Sequence, residues 1–112
     1  MATTDRRSGG DRRTDPRRNL SIDVEWEAES GRSTGTLGDL SVSGCFVLCS
    51  GAVTVGEPVK IFLPLGEGMK VQMLATVRNC VAEIGFGASF FEPTEAQLNV
   101  VTNLMESFGE KA

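Results

Sequence analysis

The strongest constraint on this chain is an alternation of apolar and polar residues with a period of two. Ile22, Val24 and Trp26 alternate with Asp23, Glu25 and Glu27. A β-strand with one buried and one wet face requires this pattern, because successive side chains leave opposite faces of the backbone. The pattern returns at Val59, Ile61, Leu63 and Leu65, separated by Lys60 and Phe62. It returns again at Val71, Met73, Ala75 and Val77, interleaved with Gln72, Leu74, Thr76 and Arg78. Turn chemistry lies between these runs: Gly31, then Val55-Gly56-Glu57-Pro58, then Gly66-Glu67-Gly68, which predicts a hairpin. Ser33 to Leu37 reads as a weakly apolar second strand interrupted by Gly35. Cys45 to Cys49 is continuously apolar, as expected of a third strand buried on both sides or packed under a helix. A short connection near Cys80 to Glu83 leads to a sixth strand, Ile84 to Phe91, where Gly85 and Gly87 suggest a bulge or a close backbone approach.

The period changes once. Leu98, Val101, Leu104, Met105 and Phe108 share one face at helical spacing, and Pro93-Thr94-Glu95-Ala96-Gln97 supplies the start. Thr94 is the expected N-cap, Gln97 completes a capping box, Glu95 complements the helix dipole, and Gly109 is the expected stop. Six short strands and one terminal helix predict a mainly β fold, a six-stranded antiparallel barrel with a C-terminal helix over about 95–108. The barrel and helix occupy residues 20–112, and residues 1–19 form a flexible, arginine-rich arm without periodicity.

A chain of 112 residues has room for one domain and its core. The net charge of -4 conceals an asymmetry: residues 1–18 carry six Arg against three Asp, whereas the remainder carries five basic and twelve acidic side chains. The acidic body repels polyanions, so only the arm attracts them. With a single Trp and no Tyr, the body lacks the stacking platform of a nucleic-acid-binding barrel. There is no His, and no cysteine has a visible base, so nucleophilic catalysis and metal binding lack their usual groups: no catalytic residue, metal site or cofactor is expected. The carboxylates Asp23, Glu25 and Glu27 read as a solvated strand face. Three cysteines, Cys45, Cys49 and Cys80, cannot all pair within the chain, and no signal-peptide pattern precedes them, so a reduced, cytoplasmic protein is expected. No apolar run reaches membrane-spanning length.

The central motif is Asp39-Leu40-Ser41-Val42-Ser43-Gly44, expected as a tight turn between strands that presents a carboxylate, two hydroxyls and a glycine. Alone, a D-x-S-x-x-G hexapeptide is weak, since Asp, Ser and Gly all favour turns. It stands about twenty residues after an R-x-x-x-R sequence, Arg13-Thr14-Asp15-Pro16-Arg17, and that combination is far more specific. The chain from about residue 12 to 109 resembles the PilZ domain family, bacterial receptor modules for cyclic di-GMP built on a split β-barrel. The resemblance implies that Arg13 and Arg17, from the first motif, and Asp39, Ser41 and Gly44, from the second, bind the dinucleotide on the outer barrel surface. An arginine at position 12 resembles the members that hold two intercalated nucleotides, which assigns Arg12 to the site and implies two ligands per chain. The upstream Asp5-Arg6-Arg7 duplicates Asp11-Arg12-Arg13 and departs from the family pattern.

The chemistry agrees with that assignment. Guanine O6 and N7 are adjacent acceptors that a planar guanidinium meets with two parallel bonds, and guanine's opposite edge carries N–H donors that an ionised Asp39 accepts. Ser41 donates to a phosphate or braces the turn, and Gly44 allows close backbone approach. The implied function is that of a cyclic di-GMP receptor whose arm orders on binding and signals to an effector protein that the sequence does not name. The alternative is a protein-interaction module of the same fold without nucleotide binding.

Overall fold

The computed structural model describes residues 17–108. It contains six strands and one helix: β1 (Arg18–Ala28), β2 (Gly31–Ser41), β3 (Gly44–Leu48), β4 (Pro58–Gly66), β5 (Met69–Val81), β6 (Gly85–Phe90) and α1 (Glu95–Phe108). The strands close into an antiparallel barrel in the order β1-β2-β3-β6-β5-β4. Closure between β1 and β4 rests on a short register, Glu25 to Phe62 through Glu27 to Lys60.

The period-two residues fill the interior. Val24, Trp26, Val59, Ile61, Leu63, Met73, Ala75 and Val77 are all buried, and the Trp26 and Phe86 rings meet edge to face at 5.0 Å. Burying each of the larger aliphatic side chains among them stabilises the fold by about 1.5–3 kcal/mol. The carboxylates on the outside of β1 are neutralised locally: Arg32 reaches Glu25 and Glu27 at 3.5 and 3.2 Å and lies over the Phe62 ring, and Lys70 approaches Glu25 at 3.6 Å.

The capping box forms as the sequence predicts. The Thr94 N–H donates to Gln97 Oε1 at 2.8 Å, and the Gln97 N–H donates to Thr94 Oγ1 at 3.1 Å. Gln97 Nε2 also donates to the Gln72 carbonyl at 2.8 Å, tying the start of α1 to β5. The helix packs against β1, β2 and β5 and buries Val101, Leu104 and Met105. Phe108 departs from expectation: it remains 59% exposed, lining a surface depression beside Leu65 at the end of β4. Among the described residues no helix is long and apolar enough to cross a membrane.

Several expected boundaries change. β1 begins at Arg18, so Arg18 and Asn19 belong to the sheet, opposite Leu40 and Asp39, rather than to the arm. β2 is not interrupted at Gly35 but runs to Ser41, and β5 continues through Cys80 to Val81. β3 is neither doubly buried nor covered by the helix. Cys45 and Val47 point inward, while Phe46 is half-buried and Leu48 exposed on the outer face. Leu65, the last apolar residue of its strand pattern, is also exposed, at the barrel rim.

Candidate functional site

The central hexapeptide forms the expected tight turn, as the tip of a hairpin. Asp39, Leu40 and Ser41 end β2, Val42 and Ser43 form a two-residue loop, and Gly44 begins β3. Asp39 owes its position to an irregularity in β2, where the register with β3 shifts between Leu37 and Asp39. Strict alternation would send Leu37 and Asp39 to the same face. The bulge at Gly38 breaks it, so Leu37 and Leu40 are both buried while the Asp39 carboxylate stays 30% exposed.

The register of β1 then brings in the end of the arginine motif. Asn19 stands opposite Asp39, so Arg17, immediately before the strand, lies next to that carboxylate. Arg17 Nη1 donates to Asp39 Oδ1 at 2.7 Å across 22 residues of sequence. This charge-assisted bond occupies one carboxylate oxygen, and among the described residues none donates to Oδ2. Arg12 and Arg13 lie outside the described residues.

Ser41 and Gly44 have inward roles. Ser41 is fully buried. Its hydroxyl accepts from the Ser43 N–H at 3.3 Å, lies 3.1 Å from the Ser43 hydroxyl and donates to the Gly44 carbonyl at 3.4 Å. Of the two roles the sequence offers this residue, the geometry favours bracing the turn. Gly44 faces β6: a Cβ there would run into the Ala88 carbonyl oxygen. Its close approach is therefore to a neighbouring strand, and it sets the β3–β6 pairing on which the site is built.

A surface depression of about 240 Å³ opens beside the Arg17–Asp39 pair. Asp39, Phe46, Gly87 and Asn79 form one continuous row across β2, β3, β6 and β5. Gly87 makes the floor. The Asn79 side chain closes over that floor, since its Oδ1 accepts the Gly87 N–H at 3.1 Å, and a Cβ at position 87 would lie only 2.9 Å from this oxygen. Arg78 lines the far wall, and its Nε donates to Ser89 Oγ at 3.0 Å. Sequence reasoning missed Phe46, Arg78 and Asn79. Arg78 appeared only as the polar member of an alternating strand, and a second register shift, between Val77 and Asn79 of β5, is what exposes both neighbours on the outer face.

Beneath the site, Cys45 faces the interior. Burial, reinforced by the Asp39 charge and opposed by Arg17, pushes its thiol from 9.0 up to about 12. It is thus a packing group rather than a nucleophile. A larger groove of about 450 Å³ lies elsewhere, lined by apolar groups including Pro58, Leu74 and Phe91. Its one cation, Lys60, stands against Glu27 and Glu29, a poor match for a phosphodiester.

The PilZ domain family model matches residues 11–107. The chain belongs to the PilZ domain family. Among solved structures, the PilZ domain of CeSA from a cellulose-synthesizing bacterium is 25% identical with a TM-score of 0.63, over 80% of this chain and 93% of that one. The PilZ domain of YcgR from Escherichia coli, solved with c-di-GMP, is 14% identical with a TM-score of 0.71, over 86% of this chain and 90% of that one. The PlzA protein of Borreliella burgdorferi, in complex with c-di-GMP, is 13% identical with a TM-score of 0.67. This chain covers 85% of its own length there but only 41% of PlzA, so it corresponds to less than half of that protein. The latter two likenesses, at such low identity, speak to the fold alone. Comparison with curated protein sequences finds no match.

Proposed function

We propose that this PilZ domain is a cyclic di-GMP receptor, and that the ligand sits on the outer barrel face against the Arg17–Asp39 pair. The observation that carries the reading is that pair: the last residue of R-x-x-x-R and the first of D-x-S-x-x-G meet at 2.7 Å at the edge of a depression. Binding of cyclic di-GMP by the YcgR domain, as stated for that structure, supports the choice of ligand.

In this reading Arg13 and Arg17 take the O6/N7 acceptor edges of guanine or the phosphodiesters, and Arg12 adds charge and planar surface for a second, stacked nucleotide. The free oxygen of Asp39 accepts the guanine N–H edge. Adenine offers a different donor and acceptor pattern and is disfavoured, each good bidentate contact being worth about 1–3 kcal/mol of discrimination. Ser41 and Gly44 act through the hairpin by holding Asp39 at its exposed angle. The domain performs no chemistry on the ligand. Its output is the ordering of the residues before Arg17, 1–16, over the dinucleotide, which presents a new surface to an effector protein in the cytoplasm.

Amide exchange tests this switching step. Exchange in residues 5–16 slows when cyclic di-GMP is added; equal protection with and without ligand contradicts the mechanism.

A further inference from the structure

The sequence motifs supply only one side of the depression, and the opposite side is built from β5 and β6. We infer that Arg78 is a further ligand-contacting residue, a guanidinium that reads the guanine O6/N7 edge from the wall facing Asp39, with Asn79 beside it as a second donor. The inference rests on the proposed cyclic di-GMP site and extends it to residues outside both motifs.

Three features of the geometry carry it. First, the walls are joined by one row of paired residues, Asp39, Phe46, Gly87 and Asn79. Three strand spacings separate its ends, roughly 14 Å, so a ligand must be broad to touch both. Second, Arg78 is restrained. Its Nε–H is committed to Ser89 Oγ at 3.0 Å, and no other described residue bonds the two terminal nitrogens, which form a fork. A fork restrained in this way loses less side-chain entropy on binding than a free arginine or lysine. Among the described residues Arg78 has no carboxylate within 4.0 Å. Third, the Asn79 amide is oriented. Because Oδ1 accepts the Gly87 N–H at 3.1 Å, the amide is held in one orientation, and its Nδ2 is presented as a donor.

The two walls therefore have opposite polarity. Asp39 offers an acceptor on one side, and the Arg78 fork and Asn79 Nδ2 offer donors on the other. Guanine has the same division, with N–H donors on its Watson–Crick edge and the O6/N7 acceptors on its Hoogsteen edge. A purine or purine pair lying over the Gly87 floor meets a complementary partner at each edge. Had a residue with a Cβ stood at position 87, it would have crowded Asn79 and raised that floor.

The test is titration of cyclic di-GMP into wild type, Arg78→Ala, Arg78→Lys and Asn79→Asp, with cyclic di-AMP as competitor and thermal unfolding as a fold control. Arg78→Ala is expected to weaken cyclic di-GMP binding at least fivefold and to narrow the preference over cyclic di-AMP. Arg78→Lys keeps the charge but lacks the fork and the Ser89 anchor, and restores neither affinity nor preference. Asn79→Asp keeps the acceptor for the Gly87 N–H while replacing donors with a negative charge, and it is expected to weaken binding at least tenfold. Wild-type affinity in Arg78→Ala, or full rescue by Arg78→Lys, overturns the inference while leaving the receptor reading intact. A wild-type protein that binds no cyclic di-GMP removes the receptor reading itself.

Discussion

Replacing Asp39 with alanine separates stability from recognition. The Arg17–Asp39 pair is open to water, with side chains 52% and 30% exposed, and exposed ion pairs contribute only about 0.2–1 kcal/mol. For a domain of this size that corresponds to a melting temperature lowered by a few degrees, at about 4–8 °C per kcal/mol. The cost to binding is greater. Arg17 occupies Oδ1 and Oδ2 remains for the guanine N–H edge, so the ligand need not displace Arg17 to gain the carboxylate. Removing a charged hydrogen-bond partner costs about 1.5–3 kcal/mol, a loss of roughly ten- to over a hundredfold in affinity at 1.4 kcal/mol per decade. Calorimetric titration of Asp39→Ala with cyclic di-GMP, beside a thermal melt, reads both quantities. Wild-type affinity refutes the role given to Asp39. A melting temperature lowered by more than about 10 °C refutes the view that the pair is a surface contact.

Other outcomes follow from the same geometry. Gly44→Ala forces a methyl against the Ala88 carbonyl, and overpacking of this kind costs about 1–3 kcal/mol; denaturant unfolding should show the loss, and unchanged stability contradicts the tight β3–β6 approach. Cys45, buried with its thiol pushed up to about 12, resists alkylation at pH 8 in the native protein while exposed Cys80 reacts, as mass spectrometry of labelled peptides would reveal. The unfolded chain releases the Cys45 proton near its ordinary 9.0 and the folded one near 12. Between those values the unfolded state binds fewer protons, so this thiol makes stability fall with rising pH, by up to about 1.4 kcal/mol per unit. An alkaline melt of Cys45→Ala that loses stability as steeply as wild type contradicts this. Finally, the family resemblance at Arg12, rather than the geometry, leads to an expected two cyclic di-GMP molecules per chain, with Arg12→Leu shifting the ratio towards one; wild-type saturation at one ligand per chain refutes the role given to Arg12.

Much of the fold was legible because its cause is local. Alternation at Ile22–Glu27, Val59–Leu65 and Val71–Arg78 follows from strand geometry alone, and the Thr94–Gln97 capping box is complete within four residues. The motifs likewise made Arg17 and Asp39 visible, although nothing local could say that they touch. What remained hidden depends on register. The bulges at Gly38 and Arg78 shift faces in mid-strand, and without them neither the exposure of Asp39 nor the pairing of Asn79 with Gly87 follows. For Ser41 the sequence left two roles open, donor to a phosphate or brace of the turn, and only the fold, which buries its hydroxyl in the hairpin, favours the second. Phe46 and Leu48 read as buried because they are apolar, whereas the outer face of β3 lies in and beside the depression.

The central claim is that this barrel binds cyclic di-GMP through the face where Arg17 meets Asp39. Isothermal titration of the wild-type chain with cyclic di-GMP, with GMP and cyclic di-AMP as controls, tests it most directly. Saturable binding of cyclic di-GMP is expected to exceed both controls by at least about fivefold, from one to two lost bidentate contacts at about 1–3 kcal/mol each. Equal heats for all three nucleotides, or none for cyclic di-GMP, would contradict it.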